Sequence, residues 1–349
     1  MRLIPEPETP CIWNLFERLN KFWVFPRLDK SIGDTMAIKT KKTAFVLLAF
    51  GGADSVENCE PFLKNIFKDR PLSAEVIEKI RERYKLIGGR SPLLDITRAQ
   101  ADAIRATLKS QWGIDYKGYV GMRFWHPLIK DTLREMASDG VERALAVIMS
   151  PFTTLATSGG YDDDVAAAVK ELGKGMKVEF IKNWHLKPLF IKALIENLEI
   201  ELKRFENKKD ALVIFSSHSI PMTMLEGDPY EMQVHQTVDR VVEKTGVDYK
   251  TAYQSKGAGP RDWMGPSTEE AIESARRTGK KGVIIVPLGF AADHVETLYD
   301  IDILFKGCAE SKGLLFARTA SMNANEKLMQ ALAEMIAKHT DGREYAYGG

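Results

Sequence analysis

Thr43-Ala44-Phe45-Val46-Leu47-Leu48-Ala49-Phe50 runs almost without a polar side chain into Gly51-Gly52. An apolar run of this length, ended by glycines, reads as a strand buried on both faces, which is the mark of a parallel sheet. A helix is expected next: Asp54 and Ser55 offer a cap, and Val56, Cys59, Phe62, Leu63 and Ile66 recur at helical spacing. Beyond Pro71, Ala74–Tyr84 sets Val76, Ile77, Ile80 and Tyr84 on one helical face and stops before Gly88-Gly89.

Strands and helices then alternate. Helices are expected near 95–111, 127–138, 162–172 and 188–206, with strands at 117–122, 144–149 and 177–182. The pattern restarts at Ala211-Leu212-Val213-Ile214-Phe215-Ser216, a second buried strand, and continues through helices near 229–246 and 267–278 to the strand 282–287. Such alternation specifies an α/β fold with two doubly wound, Rossmann-like parallel-sheet halves and a cleft between them. The expected boundaries are an extension over 1–41, domains over 42–187 and 188–317, and a C-terminal helix over 318–349 packing back on the first half. In open parallel sheets ligands bind beyond the carboxyl ends of the strands, so chemistry is expected there.

Composition excludes several classes. Lys plus Arg number 49 against 48 Asp plus Glu, so no global positive field exists to hold nucleic acid. The three cysteines, Cys11, Cys59 and Cys308, form no C-x-x-C pair, which argues for a reducing compartment, the cytoplasm by default, and against an iron–sulfur cluster. No apolar run reaches the roughly 18 residues of a membrane span. Residues 1–35 stand apart: prolines surround an aromatic patch over 12–25 in which Trp13, Phe16, Leu19 and Trp23 recur at helical spacing, suited to peripheral membrane contact. The plainer reading is a dispensable extension, or a start at Met36.

The loops at the strand ends carry the candidate chemistry. G-x-G-x-x-G, G-x-x-x-x-G-K-[ST] and G-x-S-x-G are all absent, which disfavours dinucleotide, nucleotide and serine-hydrolase readings. His218 sits among small hydroxyls in Ser216-Ser217-His218-Ser219. Asp293, His294 and Glu296 crowd the start of a helix, with Asp293 as the expected cap and Asp300 four residues beyond Glu296 on the same face. Taken alone, His218 reads more readily as a buried, hydrogen-bonded histidine than as a ligand.

Together these segments resemble the ferrochelatase family. The resemblance rests on Ser217-His218-Ser219-Ile220-Pro221, on Tyr253-Gln254-Ser255-Lys256 followed by Trp263-Met264-Gly265-Pro266, and on Gly289–Tyr299. In the first half it rests on Leu48–Gly52, on Ile87-Gly88-Gly89-Arg90-Ser91-Pro92-Leu93, and on Tyr119–Arg123 before Trp125-His126-Pro127. The family resemblance covers roughly residues 43–340 and implies an enzyme that inserts ferrous iron into a porphyrin, a lyase of haem biosynthesis. It implies His218 and Glu296 as the metal-facing catalytic pair, expected on opposing walls of one cleft. Phe50, Arg83, Tyr84, Ser91, Tyr161 and Met264 are implied as substrate-binding positions, with Asp293, His294 and Asp300 as auxiliaries. Iron would be a substrate and no cofactor resident.

The chemistry suits those residue types. A neutral imidazole is a good ligand for borderline ferrous iron, and a carboxylate can take protons and offset the metal's charge. The short connection from Phe67 to Gly88, Lys68-Asp69-Arg70-Pro71 and one charged helix, resembles the coproporphyrin-using group, whose product is coproheme. Phe50 departs from the tyrosine that many of that group place at the end of the first strand, and it cannot ligate iron. Protoporphyrin IX as substrate, a chelatase for another tetrapyrrole and a non-catalytic tetrapyrrole carrier stay open at this point.

Overall fold

In β1 (Thr43–Ala49), Phe45 and Leu47 point to one side of the sheet, while Ala44, Val46 and Leu48 point to the other. Both sets are buried, and alternation therefore demands a layer of helices on each face. The computed structural model describes residues 42–340, apart from 69, 155–157, 174 and 258–261. Residues 1–41 and 341–349, and with them the aromatic segment over 12–25, lie outside the described residues.

The first half continues with α1 (Cys59–Phe67), α2 (Ala74–Leu86), α3 (Leu93–Trp112), β2 (Gly118–Met122), α4 (Ile129–Ser138), β3 (Arg143–Ile148), α5 (Ser158–Leu172) and β4 (Lys177–Ile181). Its four strands are parallel, in the order β2-β1-β3-β4. After α6 (Pro188–Leu202) come β5 (Ala211–His218), α7 (Tyr230–Thr245), β6 (Tyr249–Gln254), α8 (Thr268–Arg277) and β7 (Gly282–Pro287). A π-helix over Glu296–Phe305 then leads through α9 (Lys306–Glu310) to β8 (Leu315–Arg318) and α10 (Glu326–Thr340). The second sheet has the order β6-β5-β7-β8, again all parallel, so the two halves repeat one winding.

One large core lies between the sheets. Phe45, Leu47, Leu145 and Val147 from the first and Val213, Phe215, Ile284 and Val286 from the second close on α3, α6, α7 and α10. The outer faces are covered by α4 and α5 on one sheet and by α8, α9 and the π-helix on the other. Leu328, Leu332 and Met335 of α10 enter the shared core, and α10 packs on both α3 and α6.

Two elements depart from the periodicity. β8 was not anticipated, because four residues with only Ala317 fully buried leave no apolar run to read. The segment after Glu296 is a π-helix and Asp293 does not cap it, since its carboxylate is occupied elsewhere. No helix among the described residues is long and apolar enough to cross a membrane.

Candidate active site

Three strand ends meet where the second sheet opens. β5 ends at His218, paired in register with Gln254 of β6, and Ser216 lies beside Pro287 at the end of β7. Gln254 joins the three segments. Its Oε1 accepts from Ser216 Oγ at 2.7 Å, its backbone oxygen accepts from Ser219 N, and its Nε2 donates to the Glu296 carbonyl at 3.1 Å. The loop after His218 is further held by Met264, whose N donates to Ile220 O and whose O accepts from Ser219 Oγ. From behind, the buried Tyr230 donates its hydroxyl to the His218 carbonyl at 2.8 Å.

These braces aim two imidazoles at one carboxylate. His218 Nδ1 lies 2.6 Å from Ser219 O, and a carbonyl can only accept, so Nδ1 carries a proton and Nε2 is the free face. That Nε2 stands 3.6 Å from Glu296 Oε1. His294 repeats the arrangement, with Nδ1 donating to Ala292 O and Nε2 at 3.7 Å from Glu296 Oε2. Burial pushes the Glu296 carboxyl upward, but His218 and His294 outweigh it and hold the group down at about 2. At 3.6 Å the His218 pair is longer than a hydrogen bond. Among the described residues, no group of three or more His, Cys, Asp and Glu is arranged to hold a metal ion.

Asp300 is buried one turn further on. Burial raises its pKa and the Glu296 charge adds to the rise, while its Oδ2 accepts from Ser255 Oγ at 2.8 Å. The charge facing Asp300 comes from the other half: Arg83 Nη1 lies 3.6 Å from Asp300 Oδ1 and its guanidinium covers the Tyr299 ring at 4.9 Å. Arg83, expected on the porphyrin rim, thus reaches across to the π-helix. Tyr84 beside it is buried, its hydroxyl accepting from Ala53 N. Burial first, with the fields of Cys59 and Glu296 adding, pushes the phenol upward, so it stays neutral. Ser91 is fixed by its own N donating to Ala53 O and sits against Gly52.

His218 and Glu296 were expected on opposing walls supplied by successive halves. They belong to one half, because β5 and β7 are neighbours in one sheet. The facing wall is made by Gly52, Ala53, Arg83, Tyr84 and Ser91 of the first half, and Val295 of the second packs against the Ala53, Cys59, Phe62, Tyr84 and Trp125 cluster. Phe50 is exposed and stacks with Phe124 at 4.7 Å. Tyr161 is buried on the outer face of the first sheet under the Arg123 guanidinium, which also covers Phe124. Asp293 points away from His218 into contacts with Arg318, Ser321, Asn323 and Thr297. Tyr230 and Arg318 escaped the sequence reading, since a buried tyrosine and a strand-end arginine carry no signal of their own, and Gln254 entered it only as part of a motif, without its bracing role.

The two parallel α/β halves thus carry an imidazole and a carboxylate side by side at the strand ends of the second sheet. In fold the chain is similar to SirB from Bacillus subtilis with Fe3+, at a TM-score of 0.55 and 9% identity, covering 86% of this chain and 98% of that one. A family model for ferrochelatase matches residues 42–340, and the chain belongs to that family. It is 36% identical to a ferrochelatase of Geotalea daltonii (85% of this chain, 98% of that protein) and 34% identical to the mitochondrial ferrochelatase of Bos taurus (87% and 78%). It is also 32% identical to a coproporphyrin III ferrochelatase of Halalkalibacterium halodurans (87% and 99%). The activity is therefore insertion of iron into a porphyrin.

Proposed function

We propose that His218 and Glu296 perform the insertion with divided roles, and that the porphyrin is coproporphyrin III. The overall exchange is one ferrous ion in and two pyrrole protons out, with no change in oxidation state. The observation that carries the division is the geometry of the pair: His218 Nε2, left free because Nδ1 is tied to Ser219 O, stands 3.6 Å from Glu296 Oε1, and the neighbouring imidazoles hold the Glu296 carboxyl down. A carboxylate that holds its charge down to about pH 2 is a poor proton acceptor at neutral pH and a good cation partner. An imidazole is ordinarily a stronger base than a carboxylate. His218 accepts the pyrrole protons in turn and, being 43% exposed, passes each to solvent. Glu296, with His294 beside it, steadies the incoming iron. Iron enters as substrate, and the reaction needs no resident cofactor.

The substrate choice is supported by the short, charged link between α1 and α2, where Lys68 and Arg70 stand in place of a long apolar lip. Arg83 adds a cationic group at 39% exposure, which suits the propionates of coproporphyrin. Exposed Phe50 stacked on Phe124 favours the second reading, protoporphyrin IX, whose vinyl edge prefers an apolar contact. Purified protein given ferrous iron anaerobically with equal concentrations of each porphyrin, followed by Soret absorbance, decides between them. A larger kcat/KM for coproporphyrin III is expected, and a larger one for protoporphyrin IX would reverse the assignment. Among the described residues, Cys59 and Cys308 are free thiols, which fits work in the cytoplasm.

A further inference from the structure

The π-helix that presents Glu296 is gripped by one arginine from a different strand. Arg318, the last residue of β8, lies 17% exposed beneath it. Its Nη1 donates to Asp293 Oδ1 at 3.0 Å, three residues before Glu296, and its Nε donates to Asp302 Oδ1 at 2.7 Å, six residues after it. The same Nη1 also reaches Ser321 Oγ at 2.9 Å.

Asp293 is saturated in consequence. Oδ1 receives Arg318, Ser321 Oγ at 2.6 Å and Thr297 Oγ1 at 3.0 Å, while Oδ2 receives Asn323 Nδ2 at 2.9 Å. Asn323 answers with its Oδ1, which accepts from Asp293 N at 2.8 Å, and it holds a left-handed φ of 43° to do so. Asn323 O and Ala291 O both accept from the buried Gln100 Nε2 of α3, so the cluster is also tied to the first half. Fixed hydrogen bonds on both sides of a short segment leave it little freedom to rotate.

We propose that Arg318 is a positioning residue for iron insertion: by holding Asp293 and Asp302 on one guanidinium it fixes the rotation of the π-helix, and so the direction in which Glu296 faces His218. A planar fork can hold two carboxylates at set angles, whereas a lysine offers one point charge, so charge alone does not reproduce the grip. Neither Arg318 nor Asp302 touches the reacting atoms. The inference rests on the reading that Glu296 steadies iron.

The test uses the full-length protein and steady-state kinetics with ferrous iron and coproporphyrin III, comparing Arg318→Gln, Arg318→Lys, Asp302→Asn and Glu296→Gln. Arg318→Gln and Arg318→Lys are expected to raise KM for iron or lower kcat by tenfold or more in the folded fraction. KM for porphyrin should stay within twofold of the parent. Asp302→Asn, which keeps Asp293 paired, should show the same split more weakly. If Arg318→Gln fails to fold, Arg318→Lys and Asp302→Asn decide. Variants that lower stability yet keep the parent's iron KM and kcat would overturn the proposal, as would equal losses toward both substrates. An active Glu296→Gln sinks the underlying reading instead, whereas an inactive one beside unaffected Arg318 variants sinks only this inference.

Discussion

Gly52 packs against Ser91 and Tyr84 in the wall of the first half, and replacing it with alanine tests how closely that wall is built. A Cβ at Gly52 would stand 2.6 Å from Ser91 Cβ and 2.6 Å from its Oγ, with Tyr84 Oη at 3.5 Å. Ordinary carbon contacts begin near ~3.5 Å, so the overlap is roughly 1 Å. Ser91 Oγ can rotate away, but its Cβ can retreat only with a backbone pinned by the Ser91 N to Ala53 O bond of 2.9 Å, and Ala53 is fully buried. Overpacking of this kind costs about 1–3 kcal/mol. Gly118→Ala is the matched control, because its Cβ would meet the buried Phe45 ring at 2.5 Å in the core of the first sheet, away from the site. Both variants should lower the midpoint in urea or heat by similar amounts. Only Gly52→Ala should also raise KM for porphyrin, several-fold, as Ser91 and Tyr84 are pushed into the slot. A Gly52→Ala protein with parental stability would refute the packing argument, and an equal rise in KM for Gly118→Ala would refute the placement of the wall.

Asp300 should weaken the fold at neutral pH. Its folded pKa is raised, so the native state binds more protons than the unfolded chain above the ordinary aspartate value of 3.8, and stability falls as pH rises through that window. Asp300→Asn is therefore expected to be more stable than the parent at pH 7 with no advantage near pH 4; denaturation at both values checks this. Glu296 has the opposite sign: its depressed carboxyl adds stability that is complete above the ordinary glutamate value of 4.5 and is lost as pH falls towards about 2. Acid unfolding of Glu296→Gln should accordingly lack that component. Tyr230→Phe removes the donor to the His218 carbonyl and should cost about 1–2 kcal/mol in chemical denaturation. Its kcat should fall while KM for porphyrin holds; an unchanged kcat would mean the hydroxyl does not position His218.

The sheets were legible because both central strands are apolar on two faces, and only a parallel sheet with helices above and below accommodates Thr43–Ala49 and Ala211–Phe215. His218 and Glu296 were legible by residue type and resemblance. Their placement in one half was not, since it depends on β7 pairing with β5, and strand order leaves no trace in local periodicity. Arg83 likewise reads as a solvated helix face until the π-helix brings Asp300 to within 3.6 Å. Asp293 has the composition of a cap, and only the arrival of Arg318 and Asn323 from beyond β7 shows that its oxygens are taken. β8 is too short and too open to announce itself.

The most direct test of the central claim is Glu296→Gln, nearly the same in shape and without the charge. Porphyrin binding is measured by fluorescence quenching, and iron insertion anaerobically by the Soret change, on the same preparation. Porphyrin affinity within twofold of the parent, with insertion slowed at least about a hundredfold, is the expected result for a charge that acts on the metal. Parental insertion rates in a folded Glu296→Gln protein would contradict it.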